Sequence, residues 1–153
     1  MTAERRHPQL SALDLFVGEW RVEAVLDTTV VGTARSVFEW QDGGAFLRQT
    51  TESAPPASEW ARHAPSATTW IIGLDDSAGE LTMLYDDSRG VQRVYRMAMA
   101  GGAWTIWRNS PGFHQRFTGT FGAGGRTITG HWAQSPNGVE WEKDFDLNYT
   151  KVG

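Results

Sequence analysis

The sequence predicts an all-β domain of about ten antiparallel strands in up-and-down order, closed into a barrel behind a short N-terminal helix. Three observations carry this. From residue 18 to the C-terminus apolar residues recur with a period of two, the spacing of a strand with one face covered. Turn signals interrupt that period at short intervals and draw on the chain's 17 glycines. No interior span shows the i, i+3, i+4 spacing of a helix, and no composition shift marks a second domain. The 153 residues are therefore read as a single domain, residues 1–153, within the ordinary size range of roughly 100–200 residues.

Residues 1–9 are polar and read as a flexible lead-in. No apolar stretch follows Arg5-Arg6, so a secretory or twin-arginine signal is not expected. Nowhere do about 18 apolar residues run together, so no membrane-spanning helix is expected and the cytoplasm is the simplest placement. Residues 10–17 suit two helical turns, with Leu10, Leu13 and Phe16 on one face, Ser11 as the cap and Gly18 as the stop. The expected strands are 18–27, 33–41, 45–54, 67–74, 80–86, 91–99, 103–109, 113–121, 126–133 and 139–151. Between the third and fourth lies a long loop, 55–66, carrying Pro55, Pro56 and Pro65.

Hairpin registers follow from the turns, because apolar residues must face apolar residues. Gly101-Gly102 sets Met99 opposite Trp104, Met97 opposite Ile106 and Tyr95 opposite Arg108. Asp42-Gly43 sets Trp40 opposite Ala45 and Phe38 opposite Leu47. The loop 122–125 pairs Phe117 with Gly130 and Gln115 with Trp132. Ser135-Pro136-Asn137-Gly138 pairs Trp132 with Trp141, Gly130 with Lys143 and Ile128 with Phe145. For the 86–90 turn, a bulge at Gly90 setting Met83 opposite Arg93 is preferred. An open sheet of this length would expose long apolar edges, so closure is expected. Barrel width grows with strand number, and about ten strands are expected to leave a cavity.

The opening Leu13-Asp14-Leu15-Phe16-Val17-Gly18-Glu19-Trp20 resembles the start of the calycin-like barrels: lipocalins, fatty-acid-binding proteins and nitrobindins. Phe38-Glu39-Trp40-Gln41-Asp42-Gly43-Gly44-Ala45-Phe46-Leu47, Asp87-Ser88-Arg89-Gly90-Val91-Gln92-Arg93-Val94-Tyr95, Arg116-Phe117-Thr118-Gly119-Thr120-Phe121 and Trp141-Glu142-Lys143-Asp144-Phe145-Asp146-Leu147-Asn148-Tyr149-Thr150 resemble an uncharacterised, largely actinobacterial, bacterial family of lipocalin-like proteins. The resemblance implies the barrel fold and brings no established activity with it.

Polar groups on the predicted inner face are the most informative feature. Strand six places Arg93, Tyr95, Met97 and Met99 inward, strand seven adds Trp104 and Arg108, and strand eight adds Gln115 and Phe117. The last strand runs Val139, Trp141, Lys143, Phe145, Leu147 and Tyr149 inward against a polar outer series. A buried cation without a partner costs several kcal/mol, so inward Arg93, Arg108 and Lys143 call for an anionic ligand, a carboxylate or water. Arg93 and Tyr95, two apart on one strand, suit a single carboxylate; fatty-acid-binding proteins use a similar Arg-x-Tyr pair on a different strand. The competing reading puts these cations at the barrel mouth, reaching water or pairing with Glu39 or Glu52. Trp40, Trp70, Trp104, Trp132 and Trp141 fall on the apolar face as core or as ligand wall. Trp60 and Trp107 lie off it, as a lid or a dimer surface.

Other chemistries find little support. The chain has no cysteine, which removes disulfides, thiolate nucleophiles and iron–sulfur centres. No histidine pair has zinc-ligand spacing, and no metal site is expected. Haem, the nitrobindin alternative, needs an inward imidazole; His114 and His131 are placed outward and His63 in the long loop. No Gly-x-Ser-x-Gly elbow occurs, and Asp75-Asp76 and Asp86-Asp87 read as turn chemistry, so no catalytic residue is assigned. A net charge of −4 argues against nucleic acid as a partner. A homodimer rests on base rates alone. The expected function is non-enzymatic binding of a small hydrophobic or amphipathic, fatty-acid-like anion inside the barrel. The expected site is Arg93, Tyr95, Arg108, Gln115 and Lys143 with Trp40, Met97, Trp104, Phe117, Trp132 and Trp141. The remaining alternative is an interaction module with a filled barrel.

Overall fold

The computed structural model describes residues 7–153; the expected lead-in is outside the described residues for positions 1–6. A helix α1 (Pro8–Ser11) runs into a 3-10 turn (Ala12–Phe16). Ten strands follow: β1 (Gly18–Leu26), β2 (Thr29–Gln41), β3 (Phe46–Ser53), β4 (Ala67–Asp75), β5 (Glu80–Asp87), β6 (Gln92–Ala100), β7 (Ala103–Arg108), β8 (His114–Phe121), β9 (Thr127–Ser135) and β10 (Glu142–Lys151). A five-residue helix α2 (Glu59–His63) stands in the loop between β3 and β4. Each strand pairs antiparallel with its neighbours in sequence, and β1 pairs with β10, so the barrel is closed and the sheet has no edge. No helix of the described residues is long and apolar enough to cross a membrane.

The helical segment starts two residues earlier than its apolar spacing indicated. Pro8 needs no hydrogen-bonded N–H at a helix start, and the His7 Nδ1 accepts from the Gln9 N–H at 3.2 Å. Ser11 makes no capping bond. Leu13 and Phe16 are fully buried and close the end of the barrel that carries the β2–β3, β4–β5, β6–β7 and β8–β9 turns. Polar ties fix this stopper: Gln9 Nε2 donates to Gly79 O at 2.7 Å, and the Trp20 indole N–H donates to Phe16 O at 2.8 Å. The opposite end carries the β1–β2, β5–β6, β7–β8 and β9–β10 turns and α2.

The inward and outward faces follow the sequence pattern, but several registers do not. Gly101 and Gly102, at φ +58° and +81°, make the tight hairpin, and Met99 faces Trp104 and Met97 faces Ile106 as expected. Between β2 and β3 the expected two-residue turn is a longer 3-10 turn, so Trp40 faces Leu47 rather than Ala45. A similar turn at Ala123–Gly125 sets Phe117 opposite Trp132 rather than Gly130. Between β5 and β6, Arg93 lies opposite Tyr85, not Met83. Each of these shifts is by two residues, which leaves every side chain on the face the pattern gave it.

β10 is the exception. It begins at Glu142, because Ser135 and Asn137 side chains hold the preceding turn: Asn137 Oδ1 accepts from the Val139 and Glu140 N–H groups at 2.9 and 3.0 Å. Trp132 faces Phe145 rather than Trp141, Gly130 faces Leu147 rather than Lys143, and Ile128 faces Tyr149 rather than Phe145. A bulge between Lys143 and Phe145 inserts one unpaired residue, Asp144. One extra residue reverses the alternation. Phe145, Leu147 and Tyr149 face inward as expected, whereas Lys143 pairs with outward-facing Ala133.

The closed half of the barrel is solid. Trp20, Leu47, Ile72, Met83, Trp104 and Ile106 have no surface that a water could touch, from outside or from within. Aromatic contacts run through it: Phe16–Trp104 and Trp104–Phe117 at 4.7 Å between ring centres, then Phe117–Trp132 at 5.2 Å. Gly130 admits the Phe117 ring, which lies 2.5 Å from where a Cβ would stand. The cavity expected from strand number is filled in this half by ten strands' worth of large side chains.

Candidate functional site

At the open end, β5 to β8 bring one polar group together. Arg93 and Tyr95 share the inner face of β6, and Tyr85 on β5 faces Arg93. Arg108, at the end of β7, faces Gln115 on β8. Tyr95 is 3% exposed and donates its hydroxyl proton to Gln115 Oε1 at 2.7 Å. Burial raises the Tyr95 phenol above its ordinary pKa, and the guanidinium groups of Arg93 and Arg108 partly oppose that rise. Both cations therefore act on the same hydroxyl. Arg93 also stands over the Phe113 ring, 5.3 Å from its centre. Neither Arg93 nor Arg108 forms an ion pair among the described residues.

The neighbouring β5–β6 turn is tied together by the Asp87 side chain. The Asp87 side chain is fully buried, and its Oδ2 accepts from the Tyr85 hydroxyl at 2.5 Å and from Arg89 Nη2 at 2.7 Å. Its Oδ1 accepts from the Arg89 backbone N–H at 2.8 Å. Burial alone would raise the Asp87 carboxyl, but Arg89 and Tyr85 outweigh it and hold it well below the usual carboxylate range. The Tyr85 phenol is pushed up by burial and by this carboxylate. Asp87 is thus an ionised turn clamp with its acceptor positions taken, which agrees with reading Asp86-Asp87 as turn chemistry.

Aromatic surfaces frame the cations. Tyr85 meets Tyr95 edge-on at 6.1 Å, and Tyr95 meets Trp132 at 6.0 Å. The opposite side of the mouth is occupied by α2: Trp60 packs against inward-facing Phe145 at 5.1 Å and lies over Gly32, where a Cβ would stand 3.3 Å from the indole. Ser58 caps α2 and donates to Val31 O at 2.6 Å, which ties the helix to β2. The cationic side of the mouth is left uncovered by this helix.

The remaining expected site residues lie elsewhere. Met97, Trp104 and Phe117 belong to the solid half, at 1%, 0% and 1% exposure. Trp40 sits at the closed end and donates its indole N–H to Asp14 Oδ1 at 2.9 Å. Lys143 is on the outer wall, 62% exposed, and donates to Asp146 Oδ2 at 2.9 Å. Trp141 is also outside, under the Arg116 guanidinium at 4.1 Å. Both corrections have one cause, the bulge at Asp144. The outer wall there holds a shallow cleft of about 540 Å³ between Arg116, Thr118, His131, Trp141 and Lys143. A second cleft, about 480 Å³, lies outside the closed end around Leu15, Gly101 and Gly125.

Tyr85 and Phe113 are the site residues that sequence reasoning missed. Tyr85 carries a signal, its i, i+2 spacing to Asp87 on one strand face, whereas Phe113 lies in a loop where no alternation assigns a side. Also missed is a polar patch inside the barrel: Gln49 Nε2 donates to Ser36 Oγ at 3.3 Å, and Ser36 and Thr51 hydroxyls lie 2.6 Å apart. None of the four imidazoles projects into the barrel. His7 caps α1, His63 bonds Glu59, His131 bonds Asp146, and His114 is on the outer face of β8 against Gly138. An axial ligand for haem inside the barrel would have to be another side chain. Among the described residues no group of three or more metal-ligating side chains comes together.

No protein-family model matches the sequence, and no curated protein matches it. Solved structures do. The crystal structure of Rv2717c from M. tuberculosis superimposes with a TM-score of 0.61 at 13% identity, over 97% of this chain and 100% of that one. At that identity the likeness shows the barrel fold and nothing finer. A protein of unknown function from the DUF3598 family of Nostoc punctiforme PCC 73102 covers 96% of this chain at 9% identity, with a TM-score of 0.31.

Proposed function

We propose that this protein binds a small amphipathic anion at the open end of the barrel and performs no reaction on it. The observation that carries this reading is that Arg93, two residues along β6 from Tyr95, and Arg108, opposite the Gln115 that bonds the Tyr95 hydroxyl, are brought to one place and have no ion-pair partner among the described residues. Two half-buried guanidinium groups gathered near one phenol repel each other, and an anion or water between them relieves that repulsion. Planar guanidinium forks suit an oxyanion, and the surrounding Tyr85, Phe113 and Trp132 supply an apolar frame. One carboxylate at this end, Asp87, is already bonded to Tyr85 and Arg89 and is therefore not free to act as a general base.

Titration with 8-anilinonaphthalene-1-sulfonate, followed by probe fluorescence, tests the reading. The expected result is saturable binding that weakens at least tenfold in Arg93→Ala/Arg108→Ala and is unchanged in Lys143→Ala. Equal binding by the double variant, with its near-ultraviolet circular dichroism intact, would overturn it.

A further inference from the structure

Resting on that reading, we infer that the ligand is a compact aromatic oxyanion, a planar ring bearing a carboxylate or phosphate, and not a long-chain acyl anion. A fatty-acid-like ligand needs a channel running from its headgroup site into the barrel. Here the path inward from Arg93 and Arg108 meets Tyr95 and then Trp132, and the rings beyond are in mutual contact: Trp132 with Phe117, Phe117 with Trp104, Trp104 with Phe16. Trp104 and Ile106 are 0% exposed, so not even a water-sized space adjoins them.

That stack does not yield easily. Gly130 lies too close to Phe117 to admit a Cβ, and at Gly119 a Cβ would stand a tight 3.0 Å from Phe117 and 3.2 Å from Trp104, so strand backbone packs directly against both rings. The apolar part of a ligand must therefore lie at the mouth. The surfaces offered there are Tyr85, Phe113 and Trp132, flat rings that reward a flat partner by stacking more than a flexible chain. On the far side of the mouth Trp60 packs against Phe145. Depth and wall chemistry point the same way, to a ligand of one or two fused rings whose anionic group reaches the two arginines.

A panel of defined probes tests this by isothermal titration of the full chain: 2-naphthoate, 2-naphthyl phosphate, octanoate, palmitate and, as a cation of the same shape, 2-naphthylmethylammonium. A naphthyl anion is expected to bind at least tenfold tighter than octanoate, and palmitate no tighter than octanoate. Arg93→Lys is expected to weaken binding of the naphthyl anion by about threefold to tenfold, because charge remains but the planar fork is lost. The two naphthyl anions distinguish carboxylate from phosphate. Affinity that climbs from octanoate to palmitate and exceeds that of both naphthyl anions overturns the compact-ligand inference and leaves the anion site standing. Equal binding of the naphthyl cation, or no binding of any anion, overturns the anion site itself and this inference with it.

Discussion

The hydroxyl of Tyr95 and the amide oxygen of Gln115, 20 residues apart in sequence, meet at 2.7 Å inside the barrel mouth. One strand, β7, and the turns at its two ends separate them, and the bond lies where the solid core gives way to the polar mouth. Removing the hydroxyl in Tyr95→Phe leaves a buried amide oxygen unsatisfied, so a loss of about 1–2 kcal/mol is expected. A double-mutant cycle with Gln115→Leu in urea unfolding measures the coupling. A coupling of about 1 kcal/mol is expected, and a value near zero would mean that each group is satisfied without the other.

Gly130→Ala tests the solidity of the core. Its Cβ would stand 2.5 Å from the Phe117 ring and 2.7 Å from the Leu147 carbonyl oxygen, so both a ring and a strand must move. Overpacking of this kind costs about 1–3 kcal/mol. The shift in urea midpoint reads it directly. A variant as stable as the parent would show that the Phe117 stack is yielding, and would weaken the case against a deep ligand.

Asp87→Asn tests the turn clamp through pH. The folded-state carboxyl is held below its unfolded value, so its stabilisation is present above the unfolded pKa and disappears as pH falls through the lower, folded one. The parent is expected to be about 2–3 kcal/mol more stable than the variant at pH 7. That gap should narrow steadily below about pH 4. A gap that is constant from pH 7 to pH 2 would assign the effect to packing and not to charge.

Asp144 behaves in the opposite sense. Burial raises its carboxyl, so the charged form is disfavoured in the folded chain and stability rises as pH falls through the raised value. Asp144→Asn is therefore expected to stabilise the protein at pH 7, by up to about 1 kcal/mol given its partial exposure. Thermal melts at pH 7 and pH 3 check this: the benefit should shrink at the lower pH, where the parent carboxyl is itself neutral.

Lys143→Ala is expected to change stability by less than about 0.5 kcal/mol, as for other exposed ion pairs. Its partner Asp146 keeps the His131 bond at 2.6 Å. Chemical denaturation of parent and variant at low and high salt reads this. A loss above about 1 kcal/mol would show that the pair organises the bulge.

The sequence by itself determined the closed antiparallel barrel and most of its facing, because a period of two is a local property: Tyr95, Met97, Trp104, Ile106, Phe117 and Trp132 needed only their neighbours to be assigned inward. It also placed Arg93, Tyr95, Arg108 and Gln115 on one surface. Three matters belonged to the tertiary structure. Turn length was the first, since a register slip of two residues, as at Trp40 and Leu47, leaves the alternation intact and so leaves no trace in it. The bulge at Asp144 was the second: a single unpaired residue forms where the Asn137 turn and the β9 ladder demand different phases, and it turned Trp141 and Lys143 to the outer wall. Volume was the third. Strand number sets a barrel's width, but whether that width is empty depends on how rings from non-adjacent strands meet. Trp104 of β7 meets Trp70 of β4 and Tyr149 of β10 across the axis, at 6.0 and 5.9 Å between ring centres, and Phe16 caps them from the closed end.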